Sequence, residues 1–219
     1  MVEAGFGIWN DVFDEGECDL LVNELERTTH KTTAGIRNLM ANPVVRTFAN
    51  DSRLNDVKAS FSEGELIPFK ATLFSKTGKA NWLVAWHQDT ALPVERVPSL
   101  YGWGPASVKD GVKFVHAPTD ALSKILAIRI HLDASTDANG PLRVIPGSHE
   151  RRITNDDKFR LWMSCKSVKC CAAKGGVIAM SPLLIHASSK CVKDEPRRVL
   201  HIEYAPSLDI AAGVRLAIA

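Results

Sequence analysis

Several things are scarce in this 219-residue chain, and each scarcity removes a class of protein. No apolar run approaches the ~18 residues of a membrane span. The opening MVEAGFGIWNDVFDEGECD is acidic early and lacks the basic stretch and apolar core of a secretion signal. Both absences point to a cytoplasmic protein without a membrane partner. Excess charge is also missing: 27 Lys and Arg stand against 25 Asp and Glu, and the scattered basic residues form no stripe for nucleic acid. The five cysteines contain no Cys-x-x-Cys knuckle, and their odd count with the adjacent pair Cys170 and Cys171 does not make a secreted disulfide framework. They read as reduced, half-buried thiols in preference to a zinc site of Cys165, Cys170, Cys171 and Cys191. Internal repeats and low-complexity tracts are absent. What remains, 45% hydrophobic and 24% charged residues, suits one domain over residues 1–219 that takes a small-molecule partner, as a monomer or homodimer.

Periodicity divides the chain in two. In DEGECDLLVNELERTTH, residues 14–30, Cys18, Leu21, Val22 and Leu25 fall at the spacing of an amphipathic helix, and Asp14 with Glu17 makes a capping-box start. A second helical stretch covers residues 43–61, so residues 1–66 form a mainly helical layer. From residue 67 onward the pattern becomes short strand-like runs: FKATLFSK, NWLVAWHQD, KILAIRIHLD, GPLRVIPGSH, VKCCAAKGG, GVIAMSPLLIHAS and RRVLHIEYA. Such strands behind a helical layer predict a mainly β protein with flanking helices, a jelly roll or related barrel. Residues 90–119, with four prolines and three glycines, exceed an ordinary connection and are expected to be an irregular lid.

The chemistry begins at NWLVAWHQDT, residues 81–90. Residues i and i+2 of a strand share a face, so His87 and Asp89 can present an imidazole nitrogen and a carboxylate oxygen to one point. A third ligand must come from elsewhere, and His186, closing the run VIAMSPLLIH before a small polar stretch, is the candidate. Two histidines and one carboxylate leave the opposite positions open, which suits non-haem Fe(II) that binds an oxidisable cosubstrate and O₂ together. Downstream, EPRRVLHIEYA offers Arg197 or Arg198 as a planar fork for the far carboxylate of a dicarboxylic keto acid. Neighbouring strand residues face opposite ways, so one of the two arginines enters the barrel.

WHQD, GPLRVIPGSH, LLIHASS and RRVLHIEY together resemble the phytanoyl-CoA dioxygenase-like family of Fe(II)- and 2-oxoglutarate-dependent oxygenases. The resemblance runs from Gly5 and Phe6 to the last strand and includes the NW before WHQD and the VKDGV of residues 108–112. It implies a double-stranded β-helix, with Fe(II), 2-oxoglutarate and O₂ as cofactor and cosubstrates. His87, Asp89 and His186 match the family's iron ligands, and Arg197 matches the clamp on the 2-oxoglutarate side-chain carboxylate, with Arg198 as the fallback. Ser188 matches a position that hydrogen-bonds the cosubstrate, while Thr72 and Phe74 sit where some relatives place further contacts to it. Asp89 keeps the carboxylate that halogenating relatives replace by a small residue, so hydroxylation or a related oxidation, with release of succinate and CO₂, is implied. Two alternatives stand beside this reading: a cupin-like metal enzyme that does not use 2-oxoglutarate, and a non-catalytic small-molecule-binding barrel.

The remaining polar residues read more plainly. His149 in PGSH is expected to bond its own turn. Arg129 and His131 share a face of AIRIHLD, as a structural pair or as part of the barrel lining. His201 shares a face with Arg197 and could line the pocket, and His116 belongs to the lid and is expected in solvent. Trp82 and Trp86, with Val84, fall opposite His87 and Asp89 by alternation and read as core. Lys109 and Asp110 are either solvated charges or contacts to a polar substrate.

Overall fold

A computed structural model describes residues 3–28, 35–76, 81–193 and 195–219. Along the chain, strand β1 (Phe6–Trp9) precedes helices α1 (Glu15–Thr28), α2 (Pro43–Ala49) and α3 (Asn55–Ala59). Then follow β2 (Ile67–Lys76), β3 (Val84–His87), β4 (Ala91–Pro93), β5 (Ala106–Lys109), β6 (Val112–His116), α4 (Thr119–Leu122), β7 (Leu126–His131) and β8 (Leu142–Val144). Helix α5 (Asp156–Met163), β9 (Val168–Cys170), β10 (Val177–Met180), β11 (His186–Ser188), β12 (Arg197–Ala205) and the hairpin β13 (Asp209–Ala211) and β14 (Val214–Arg215) complete it. A five-stranded antiparallel sheet in the order β1-β10-β7-β12-β2 and a four-stranded one, β3-β11-β8-β9, form the two layers of a double-stranded β-helix.

Alternation decides what each face of the larger sheet does. Its outer face sends Ala71, Leu73, Ile128, Ile130, Leu200 and Ile202 into one core with Leu21 and Leu25 of α1, Val45 of α2 and Val57 of α3. The Tyr204 hydroxyl donates to the Ala49 carbonyl at 2.9 Å and ties β12 to α2. The inner face carries Thr72 and Lys76 of β2, Arg129 and His131 of β7, and Arg197, His201 and Glu203 of β12, all buried. Between the sheets, Ile178 and Met180 of β10 pack with Leu142 and Val144 of β8 and with Cys170. The polar residues thus occupy one part of the inter-sheet space and the apolar residues another.

Helix α1 starts with the expected reciprocal cap: the Asp14 amide donates to Glu17 Oε2 at 3.0 Å and the Glu17 amide to Asp14 Oδ1 at 2.8 Å. The last two residues assigned to it from sequence, Thr29 and His30, lie outside the described residues. The layer expected to be mainly helical also supplies β1, whose register Phe6↔Met180 to Trp9↔Val177 adds an edge strand to the main sheet. The single helix expected over residues 43–61 is broken where Asp51 turns its carboxylate back to cap the Arg53 amide at 2.9 Å. Cys170 is buried and Cys171 exposed, as neighbours on a strand should be, and the described cysteines are free thiols.

Residues 90–119, expected as an irregular lid, instead build a third sheet, β4-β6-β5. Its prolines and glycines sit at strand ends and turns. The β5–β6 hairpin closes on Asp110 and Gly111, both at positive φ (48° and 80°), the backbone a tight Asp-Gly turn demands. One face of this sheet is seated on Phe69, with Leu92 and Val115 in the same core. Helix α5, unforeseen from sequence, has no buried residue. No helix among the described residues is long and apolar enough to cross a membrane.

His131 is a costly member of the inner face: it is fully buried, and neither ring nitrogen has a hydrogen-bond partner among the described residues. Burial, helped by the Arg129 and Arg197 charges, holds its pKa well below 6.5. The unfolded chain therefore takes up a proton near pH 6.5 that the folded chain refuses, so stability is lost as pH falls through that value. His131→Leu is expected to raise stability at pH 7 by about 1 kcal/mol and to flatten the decline toward pH 5. Urea denaturation midpoints across that range measure both effects.

Candidate metal centre

Three side chains converge at the mouth between the two sheets. His87 ends β3 and His186 opens β11, directly opposite one another in the register, with ring centroids 4.2 Å apart. Asp89 follows β3, its amide held by the Pro182 carbonyl at 2.9 Å. Between the two ligands of β3, Gln88 faces the other way and acts as a pin. Its Nε2 donates to the Leu183 and Arg151 carbonyls at 2.5 and 2.9 Å, and its Oε1 accepts from the Ile153 amide at 2.8 Å.

The β3–β11 pairing shifts register between His186↔His87 and Ser188↔Val84, a bulge that breaks strict alternation. Val84 and Trp82 therefore open on the same cavity as His87, contrary to the expectation that they face away from it. Trp86 joins neither this cavity nor the hydrophobic core expected for it; it is half-buried, with the Arg143 guanidinium over its ring at 5.1 Å. Asn81 exchanges two hydrogen bonds with the Cys191 backbone, at 2.9 and 2.7 Å, and so secures the segment carrying Trp82.

Among the described residues, His87, Asp89 and His186 are the group able to hold a metal ion, with donor atoms within 4.8 Å of one another. The Nδ1 atoms lie 2.8 Å from the carbonyls of Ala85 and Leu184, so each carries the proton and donates it. That leaves each Nε2 bare and 3.5 Å from a separate oxygen of the Asp89 carboxylate. Acceptor faces acceptor on both sides, which a shared metal ion relieves, as does a proton on His87, where burial is outweighed by Asp89 and the pKa is raised. Burial favours a neutral His186, lowering its pKa to about 4. Burial also opposes ionisation of Asp89, but the adjoining His186 and His87 rings outweigh it and hold the carboxyl well below its ordinary range, so the carboxylate form is the one presented to a metal. Two neutral imidazoles and one carboxylate on a single side are the donor set of a ferrous site with open positions.

Behind the triad lies an inner cavity of about 120 Å³, into which Lys76, Arg129 and Arg197 all project. Arg197 is buried, and its hydrogen-bond partners among the described residues are neutral oxygens, Asn139 O at 3.3 Å and Ser188 Oγ at 3.4 Å. Lys76, which the sequence reading passed over, donates to Ser188 Oγ at 2.8 Å and Ser189 O at 2.7 Å and lies 5.4 Å from the Trp82 ring centre. Burial and the Arg197 charge lower its pKa to about 8. Burial, again with Arg197, brings Arg129 down to about 10, and its Nε has no partner. Arg198 faces outward, held bidentately by Asp133 at 2.7 and 2.8 Å and by Glu26 at 3.1 Å. Ser188 Oγ, besides facing Lys76 and Arg197, donates its only proton to the Gly140 carbonyl at 2.9 Å.

An outer cavity of about 280 Å³ shares Phe74 and Asp89 with the inner one, and Thr72 opens here and not beside Arg197. His116 is half-buried in its wall, with Nδ1 2.6 Å from Thr90 Oγ1, so it is not the solvated lid residue expected. His201 lines neither cavity; it accepts from Arg129 at 3.2 Å through Nδ1 and so donates through Nε2 to Glu203 at 3.3 Å. Arg129 and His131 make no pair with each other: the partner of Arg129 is His201. His149 does not bond its own turn either. Ser148 Oγ takes the Ile145 carbonyl at 2.7 Å, and His149 lines a separate cavity with a buried, unpaired Nδ1.

A double-stranded β-helix with this triad at its mouth defines a metal-dependent class of protein. The chain belongs to the phytanoyl-CoA dioxygenase family: the family profile described as Phytanoyl-CoA dioxygenase (PhyH) matches residues 1–199. No curated protein matches the chain by sequence. Among solved structures it is similar to EctD from S. alaskensis in its apoform, with 21% identity, TM-score 0.68, and coverage of 93% of this chain and 73% of that one. HygX from Streptomyces hygroscopicus, solved with nickel and 2-oxoglutarate bound, matches at 17% identity and TM-score 0.66 over 93% and 84% of the two chains. SnoN, a non-haem α-ketoglutarate-dependent epimerase from nogalamycin biosynthesis, matches at 16% identity and TM-score 0.71 over 94% and 77%. At these identities the likeness is one of fold.

Asp89→Ala removes the carboxylate that both Nε2 atoms face. It is expected to lower Fe(II) or Ni(II) affinity by more than about a hundredfold, beyond the loss that supporting residues alone cause. Calorimetric titration measures this, with circular dichroism confirming that the sheets persist.

Proposed function

We propose that the protein is a non-haem Fe(II)- and 2-oxoglutarate-dependent dioxygenase that oxidises, by hydroxylation or a related reaction, a small-molecule substrate. The observation that carries this reading is the trio Lys76, Arg129 and Arg197, buried around one cavity behind the triad with no carboxylate bonded to any of them among the described residues. Buried charge without a counter-ion is costly, and a dicarboxylate that also chelates a metal answers that cost at both ends. When bound, iron, 2-oxoglutarate and O₂ supply an oxidation of the substrate coupled to decarboxylation of the keto acid to succinate and CO₂. EctD, HygX and SnoN support the class through their shared fold, and the HygX structure contains 2-oxoglutarate.

The chain's own residues divide the work. His87, Asp89 and His186 would hold the iron from one side, fixed by the Ala85 and Leu184 carbonyls and by Gln88. Arg197 and Lys76 would take the far carboxylate, the first as a fork and the second as a point charge. Ser188, its proton committed to Gly140, acts by holding both cations in place and not by contacting the cosubstrate itself. Trp82, Leu142 and Phe74 keep water from this end. Thr72 belongs with the substrate compartment. Asp89 occupies the position a halide would need, which favours oxygen insertion over halogenation.

Purified protein given Fe(II) and 2-oxoglutarate is expected to release succinate slowly even without substrate. Arg197→Ala should raise the half-saturating 2-oxoglutarate concentration by about a hundredfold, the ~3 kcal/mol expected when one partner of a buried ionic contact is truncated. Lys76→Met should raise it less. Iron-dependent turnover that ignores 2-oxoglutarate would select the cupin-like alternative, and no succinate under any condition would select a binding barrel.

A further inference from the structure

The outer cavity, where the substrate must lie if the proposed function holds, has a distinctive charge balance. Three cations line it: Arg37, Lys70 and Lys109. Two of them are already neutralised. Lys70 Nζ sits 2.6 Å from Oε1 of the buried Glu203, which in turn is braced by His201. Arg37 meets Asp110 at 3.2 Å, in the hairpin turn whose backbone carbonyl also accepts from Asn38 at 3.1 Å. Lys109 has no carboxylate partner among the described residues, and its ammonium stands 5.3 Å from the centre of the Phe114 ring. Among the described residues the one carboxylate lining this cavity is Asp89, which belongs to the group able to hold the metal. The turn that docks on Arg37 and Asn38 therefore places a free positive charge beside the route to the iron. Phe74 and Phe114 supply apolar wall, while Thr72, Thr90 and His116 supply neutral polar groups.

We propose that the oxidised substrate is a small organic anion, a carboxylate or phosphate monoester, whose charged end is taken by Lys109 and whose carbon skeleton lies along Phe74 and Phe114 toward Asp89. The proposal rests on the oxygenase reading for the location of the substrate, and it adds the chemical class. Lys109 is exposed at the cavity rim, so a neutral substrate would leave its ammonium to water and gain nothing from it, whereas an anion would pair with it there. A cationic one would meet the unpaired Lys109 ammonium, Arg37 and Lys70 being already balanced by Asp110 and Glu203. The cavity volume of about 280 Å³ holds a skeleton of several carbons.

The test is calorimetric binding of four probes, hexanoate, hexyl phosphate, hexanamide and hexylamine, to the full chain with saturating Ni(II) and 2-oxoglutarate, so that the inner cations are already engaged. One of the two anions is expected to bind about tenfold or more tightly than the amide and the amine, the scale of one charge-assisted contact. Which of the two binds better identifies carboxylate or phosphate. Lys109→Glu should abolish or reverse the preference, and Lys109→Met should reduce it. Equal binding of all four probes, binding of none, or a preference that survives in Lys109→Glu would overturn the proposal. Succinate release without any probe reports separately on the metal and cosubstrate reading, so the two can fail independently.

Discussion

Unbalanced positive charge on the inner face of the five-stranded sheet is the constraint around which the rest of the molecule is arranged. Lys76, Arg129 and Arg197 are kept out of bulk water by Trp82, Leu142 and Phe74 on the cavity side, and by the aliphatic core on the other side of the sheet. The fold tolerates them because neutral groups, the oxygens of Ser188, Ser189 and Asn139 for Lys76 and Arg197 and the His201 ring nitrogen for Arg129, take up donors without cancelling the charge. A carboxylate in any of those positions would stabilise the empty protein and occupy the place of its ligand. Nearby, Glu203 shows what full cancellation looks like: it is paired with Lys70, and its carboxyl is held below the ordinary range, burial opposing and Lys70 prevailing.

The metal triad obeys a related logic with the signs reversed. Both histidines donate to backbone carbonyls two residues earlier in the chain, which leaves two lone pairs and a carboxylate facing each other. These two imbalances, acceptors at the mouth and donors in the depth, are complementary to one chelated dianion on a divalent cation. The sheet alternation that sends Leu200 and Ile202 to the helices sends Arg197 and His201 to this space, so the same residues' order in β12 serves core and site at once.

Much of this was legible because strand alternation is a strong local rule. The pairing of His87 with Asp89, and the rule that only one of Arg197 and Arg198 faces inward, follow from which way successive side chains point; His186 was marked by its place at the end of an apolar run, and Arg197 over Arg198 by the family resemblance. Where alternation failed, the reading failed: the bulge opposite Ala187 rotated Trp82 and Val84 into the cavity, and no residue of NWLVAW announces a bulge. Lys76 was passed over because a lysine at a strand's end usually reaches solvent; its burial is matched by a hydrogen bond to Ser188, 112 positions away. The sheet in residues 90–119 was hidden by its prolines and glycines, which mark the turns of short strands as readily as they mark irregular chain. Its Asp-Gly hairpin signal was present in VKDGV, but the strands on either side were too short to show a period.

The triad and the cations belong to different sheets. His87 and His186 ride on the four-stranded layer, whereas Lys76, Arg129 and Arg197 ride on the five-stranded one. Nothing covalent sets the gap between the two groups; the side chains of Ile178, Met180, Leu142 and Val144, wedged between the layers, set it as a gauge block sets the jaws of a caliper. The spacing between the metal ligands and the buried cations is therefore written in the thickness of a hydrophobic core, of which Leu142 alone reaches the cavity between them.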